Sequence, residues 1–112
     1  MNLKNRLKKN EEFKEIINCR ILTKAKSCNI FFKETENTYK FGISVSKKHI
    51  GNAVTRNLTK RRIRAILREI DDKEIVKFFD FVIIAKSSII NMTYNELKED
   101  ITKALFSRFI GE

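Results

Sequence analysis

The 112-residue chain has no proline and no tryptophan, only three glycines, two cysteines and a single histidine. Without proline, and without a glycine- or serine-rich tract, nothing in it reads as a linker, and at this length the expectation is one domain over residues 1–112. One histidine, His49, and two cysteines, Cys19 and Cys28, cannot supply the usual spacings of a four-ligand zinc site, and no metal-ligating residue is assigned. A lone disulfide would be unusual in a reducing compartment, so both cysteines are read as free thiols. No apolar run approaches the roughly 18 to 20 residues needed to span a bilayer, and the first residues are too polar for a secretory signal. The expectation is a soluble, cytoplasmic protein with no membrane partner.

What is present is a core's worth of apolar residues, 42% of the chain with nine Phe, alongside 34% charged residues. That proportion supports a folded chain rather than a disordered one. The net charge of +10 makes a positive field that attracts polyanions at long range. Nucleic acid, an anionic membrane and acidic protein are the partner classes it leaves.

Residues 1–9 form a basic lead-in with Lys4, Arg6, Lys8 and Lys9. Asn10 is a plausible cap for a short helix that puts Phe13, Ile16 and Ile17 on one face and ends before Thr23. From Cys28 the pattern turns extended, with Cys28, Ile30 and Phe32 alternating against Asn29, Phe31 and Lys33. Glu34 to Asn37 reads as a turn, and a second arm over Tyr39 to Val45 completes an expected hairpin, with Phe41, Ile43 and Val45 opposite Lys40, Gly42 and Ser44. Ser46 to Asn52 is a polar connection in which Gly51 gives backbone freedom, and Asn52 caps a long helix from Ala53 to about Ile70. Phe81 to Ala85 reads as a strand buried on both faces, central in its sheet. Thr93 with Glu96 forms a capping box ahead of Leu97, Ile101, Ala104 and Leu105. The order helix, strand, strand, helix, strand, helix predicts an α+β sandwich with a mixed sheet.

Between Lys47 and Arg68 stand eight Lys or Arg residues and no Asp or Glu. At about 100° per residue, Asn57, Lys60, Arg61, Arg64 and Arg68 share one helix face with Arg56 at its margin, while Ile63, Ile66, Leu67 and Ile70 form another. Like charges at this spacing repel unless an outside polyanion compensates them. Arg suits phosphate through its two-pronged donor geometry, and the helix N-terminus near Asn52 to Val54 adds backbone donors. Phe31, set between Asn29 and Lys33 on one strand face, is a candidate stacking platform for an unpaired base or, if a helix covers that face, a core residue. Phe13 and Ile17 divide the same way. His49 lacks a neighbouring nucleophile or orienting carboxylate, and Asp71 and Asp72 read as solvated residues rather than a metal pair. No catalytic residue is assigned.

The stretch Gly51-Asn52-Ala53-Val54-Thr55-Arg56-Asn57, with Lys60, Arg61 and Arg64, resembles the signature of the bacterial ribonuclease P protein component, which runs approximately G-x-A-V-x-R-N-x-x-K-R-x-x-R. Ser44 to Lys48 and the early Leu7, Lys8, Lys9 and Phe13 are similar to that family too, so the likeness extends from about residue 7 to residue 105. His49 reads as one residue more than the family pattern, Leu58 replaces a usual basic residue, Ala65 a common acidic one, and Ile17 a frequent aromatic.

The resemblance implies a protein subunit of a ribonucleoprotein endonuclease that removes the 5′ leader of precursor tRNA, with hydrolysis carried out by the RNA subunit using Mg2+ and the protein alone inactive. It implies RNA-subunit contacts at Lys47, Lys48, Asn52, Arg56, Asn57, Lys60, Arg61, Arg64 and Arg68, and leader contacts at Phe13, Ile17, Asn29, Phe31 and Lys33. The implied partners are the ribonuclease P RNA and precursor tRNA, with no protein partner evident. It also implies a left-handed strand-helix-strand crossover, where general chain topology favours a right-handed one. The rival readings are a general RNA-binding or ribosome-associated module, a protein-only nuclease built on Asp71 and Asp72, and, more weakly, a DNA reader for which no helix-turn-helix partner is present.

Overall fold

The computed structural model describes residues 1–36 and 38–110. Its elements are helix α1 (Asn10–Asn18), strands β1 (Ile21–Lys24), β2 (Cys28–Glu34) and β3 (Phe41–Ser44), helix α2 (Ala53–Glu69), strand β4 (Phe79–Ala85) and helix α3 (Tyr94–Phe109), with short 3-10 turns at Asp72–Glu74 and Ser87–Asn91. The four strands form one mixed sheet in the order β1-β2-β4-β3, the α+β architecture expected from the element order.

The expected hairpin is corrected. β2 does not pair with β3: it pairs antiparallel with β1, a strand the sequence reading missed, and with β4, while β3 runs parallel to β4. The hairpin that does form joins β1 to β2 through Ala25 to Ser27, where the Ala25 N–H donates to the Cys28 carbonyl at 2.8 Å. Its turn contains none of the Gly, Pro or Asn residues that mark hairpins in a sequence. β1 follows Arg20, whose φ of 58° ends α1 in the left-handed region. Asn37, part of the expected turn, lies outside the described residues.

Strand alternation sends the two sheet faces to different partners. Ile30, Phe32, Phe41, Phe81 and Ile83 meet Ile63, Ile66 and Leu67 of α2 and Leu97, Ile101, Leu105 and Phe109 of α3 in the main core. Phe109 meets Phe32 and Phe81 edge-on there, with centroids 6.4 and 5.6 Å apart, while Phe32 and Phe81 lie tilted to one another at 6.3 Å. On the other face α1 lays Ile16 over Val82 and Leu7. The first turn of α1 differs from expectation: the cap position is Lys9, whose N–H donates to Glu12 Oε1 at 3.3 Å, and Asn10 is already helical.

The basic lead-in is also more than a tail. The Leu7 N–H donates to the Phe41 carbonyl at 2.7 Å and the Phe41 N–H to the Asn5 carbonyl at 2.9 Å, so residues 5–7 extend the sheet beside β3 as a parallel bridge. No helix is long and apolar enough to cross a membrane among the described residues.

Candidate nucleic-acid interface

The segment before α2 is a closed loop. The Ile50 N–H donates to the Ser46 carbonyl at 3.0 Å, and Ile50 is buried as the loop's anchor. Arg56 reaches back, its Nη1 donating to the carbonyls of Ile50 at 2.9 Å and Gly51 at 2.8 Å. Asn52 Oδ1 accepts from the amides of Val54 at 2.8 Å and Thr55 at 3.3 Å. Two consequences correct the sequence reading. The Val54 and Thr55 amides are committed to the cap and are not free anion donors, and Arg56 spends part of its guanidinium on the loop. Gly51 stands outside the left-handed region, and a Cβ there would have only an ordinary 3.9 Å contact with the Lys47 carbonyl, so the loop does not demand glycine.

Along α2, Ile63, Ile66 and Leu67 are fully buried, joined by Thr59, whose hydroxyl donates to the Thr55 carbonyl at 2.8 Å. Asn57, Arg61 and Arg68 are exposed, Lys60, Arg62 and Arg64 half-buried, and Lys47 and Lys48 exposed in the loop. The ion pairs of the described residues involve Lys33, Lys40, Lys98 and the Met1 amine, and none involves an α2 cation. The Arg64 guanidinium is held below its ordinary value, first by burial and then by the neighbouring Arg6 charge. Val54 and Leu58, one turn apart, add exposed apolar surface to this cationic stretch, 77% and 44% exposed.

Lys60 also lines a groove of about 410 Å³ between α1 and the sheet, whose walls include Phe13, Lys14, Ile17, Ser44 and Ile84. No acidic residue lines it. Phe13, in its wall, sits on Gly42. The groove and the cationic helix are therefore one continuous, acid-free surface hinged at Lys60.

With that surface defined, comparison with known proteins decides the family. The ribonuclease P family model matches residues 1–109. The chain belongs to the ribonuclease P protein family. It is 43% identical over 103 residues to a ribonuclease P protein component of Bacillus cereus, covering 90% of this chain and 88% of that one. A Staphylococcus aureus ribonuclease P protein structure superimposes with TM-score 0.81 at 27% identity, over 96% of this chain and 98% of the other. A second structure from that organism, at 28% identity and TM-score 0.81 over 94% of this chain and 95% of that one, is of a mutant described as defective in mRNA degradation activity.

Within this ribonuclease P family chain, the residues assigned to leader contact separate. Phe13 and Ile17 line the groove. Phe31, half-buried like Phe13, packs with it and Ile84 against the Leu7, Ile16 and Val82 cluster beneath α1. Lys33 Nζ is held 3.2 Å from Glu15 Oε2 in an exposed ion pair. Asn29 is half-buried with Oδ1 enclosed and unpartnered.

The carboxylates of the protein-only nuclease reading have structural partners. Asp71 Oδ1 accepts from the Lys73 amide at 2.9 Å, and Asp72 pairs with the Met1 amine at 3.3 Å and accepts from the Tyr39 hydroxyl at 3.2 Å. Among the described residues no group of three or more His, Cys, Asp or Glu side chains is placed to hold a metal ion. His49 is exposed in the loop. Both cysteines are free, and burial pushes the Cys28 thiol up to about 11.

The residues the sequence reading missed are Arg6, beside Lys60 and Arg64, together with Lys14 and Ser44 in the groove wall. Arg6 was visible only as one charge of a basic lead-in.

Proposed function

We propose that this chain is the protein subunit of a cytoplasmic ribonuclease P, binding the ribonuclease P RNA through α2 and the single-stranded 5′ leader of precursor tRNA through the groove. The observation that carries this reading is the unbroken, acid-free cationic surface running from the exposed face of α2 through Lys60 into the groove. A structured RNA is met by Lys47, Lys48, Arg61, Arg64 and Arg68, which release its counterions on contact, and by Asn57, whose amide can hydrogen-bond to it. A single strand fits the groove, where Phe13 and Ile17 offer apolar surface to bases while Lys14 and Lys60 meet the backbone.

In this reading the protein contributes binding and charge neutralisation, not a nucleophile or general base. Cations placed between two RNA molecules lower their mutual repulsion, which raises substrate affinity and the occupancy of metal sites on the RNA. Mg2+, when bound by the RNA, would supply the activation of water and the charge stabilisation that hydrolysis needs, with no residue of this chain assigned to hold it. The protein's own groups hold the leader and orient the two RNAs; Arg56 and Asn52 serve by fixing the loop and the start of α2.

Reconstitution tests the reading. At low Mg2+, adding the protein to a ribonuclease P RNA restores cleavage of precursor tRNA at the mature 5′ end, and a precursor with its leader shortened to one nucleotide gains less. A protein that neither binds that RNA nor restores cleavage is instead a general RNA-binding module. The mRNA degradation named for the Staphylococcus aureus mutant raises a second reading, hydrolysis by the protein itself. For this chain, cleavage of RNA by the isolated protein, abolished by Asp71→Asn with Asp72→Asn, would establish it.

A further inference from the structure

Arg6, Lys60 and Arg64 converge on a small cavity of about 100 Å³ at the β3 edge of the sheet, floored by Phe41 and Gly42 and walled by Phe13. Three elements bring them there. Residues 5–7 are pinned to β3 by the two backbone hydrogen bonds to Phe41. Leu7 turns to the α1 face, so strand alternation sends Arg6 to the other side, toward α2. Lys60 and Arg64, four residues apart, rise from one face of α2.

The charges of this cluster are uncompensated. No carboxylate lines the cavity, none of the three residues forms an ion pair within the described residues, and the Nε of Arg64 is enclosed without a hydrogen-bond partner. An enclosed guanidinium N–H without an acceptor is costly, and a neighbouring cation adds to the cost. An oxyanion corrects both at once: two Arg forks and one ammonium offer several N–H donors to tetrahedrally arranged oxygens. The cavity, about 100 Å³, has room for a phosphate group.

We propose that Arg6, Lys60 and Arg64 form a discrete phosphate-binding pocket that takes a single backbone phosphodiester of RNA at the junction of the groove and the α2 face. The pocket stands on its own geometry; its assignment to RNA rests on the proposed function. It makes the N-terminal segment part of the interface, through a residue outside the signature that runs from Gly51 to Arg64.

The first arm of the test uses inorganic phosphate and the full chain in chloride buffer, followed by titration calorimetry and amide chemical shifts. One saturable site is expected, with shifts at residues 6, 60 and 64. Arg6→Gln and Arg64→Gln each weaken it on the order of tenfold, whereas Lys77→Gln, a charge removal on the segment hydrogen-bonded to the end of α3, changes it less than about twofold. Arg6→Lys, which keeps the charge and loses the fork, falls between and covers the case in which Arg6→Gln fails to fold. Absence of saturable binding, or equal weakening by Lys77→Gln, overturns the pocket. In the second arm, Arg6→Gln that weakens binding of the ribonuclease P RNA alone assigns the phosphodiester to that RNA, and weakening confined to leader-bearing precursor tRNA assigns it to the leader. If phosphate binds but neither RNA affinity changes, the RNA assignment is overturned. If wild-type protein binds phosphate but not ribonuclease P RNA, the proposed function fails and the pocket stands.

Discussion

The ring of Phe13 occupies the space that a side chain at Gly42 would fill: a Cβ there would stand 2.4 Å from Phe13 Cζ and 2.5 Å from Cε2, with Leu7 Cδ1 at 3.1 Å. The position of α1 over the sheet, and with it the Phe13 wall of the groove, depends on β3 having no side chain at that point. Gly42→Ala is expected to displace Phe13 and cost about 1 to 3 kcal/mol, the usual range for overpacking. In a Phe13→Ala background the same change costs little, and a double-mutant cycle by urea unfolding measures the difference. Equal costs in the two backgrounds would mean that the contact does not set the α1 position.

Arg56 and Arg61 are neighbours in the signature but have different surroundings. Arg61→Ala removes an exposed charge, so affinity for ribonuclease P RNA falls and the slope of log affinity against log salt flattens by about one, while stability stays within about 0.5 kcal/mol. Arg56→Ala frees the Ile50 and Gly51 carbonyls and lowers stability as well as affinity. Filter binding across a salt series, paired with urea unfolding, separates the two.

Asn52→Ala removes the cap of α2 at a cost of about 1 kcal/mol, and Asn52→Asp retains the stability because a carboxylate accepts the same two amide hydrogen bonds. Loss of stability in both variants would mean that the Asn52 amide group, rather than its capping oxygen, is what the helix needs.

Cys19 is exposed and Cys28 fully buried. Iodoacetamide at pH 8 is expected to label the native chain once, at Cys19, and twice in denaturant. With its thiol pushed up to about 11 by burial, the folded state holds Cys28 protonated. Raising the pH through the ordinary thiol range near 8.5 therefore favours the unfolded chain, where Cys28 ionises freely, and Cys28→Ala or Cys28→Val reduces that alkaline loss. Alkaline unfolding unchanged in both variants would remove Cys28 as its source.

Gly51→Ala is expected to leave stability unchanged or raise it by about 0.4 to 1 kcal/mol, since the backbone there suits any residue and the new methyl group meets open space. Thermal unfolding of the free protein checks this.

Most self-contained local signals in the chain hold, the cap of α1 being the exception, at Lys9 rather than Asn10. The cap at Asn52, the capping box of Thr93 and Glu96, the buried stripe of Ile63, Ile66 and Leu67, and the double-sided burial of Phe81 to Ala85 each follow from residues within a few positions of one another. Strand pairing does not have that property. Tyr39 to Val45 alternates as well as any hairpin arm, yet which strand it joins depends on where α2 carries the chain next, and β1 is too short and its turn too plain to announce itself.

The sequence by itself determined that this protein offers a concentrated cationic face to a polyanion. Charge count, the absence of acidic residues from 47 to 68 and the spacing from Gly51 to Arg64 are properties of the chain in any conformation. Only the tertiary structure decided which cations are free to do so. It commits Arg56 to a loop and pairs Lys33 with Glu15, and it folds a basic N-terminal segment along β3 so that Arg6 joins Lys60 and Arg64. Whether a charge is available depends on what lies within a few ångströms of it: for Arg56 that is a loop five and six positions back, for Lys33 a carboxylate 18 positions away, and for Arg6 two side chains more than 50 positions on.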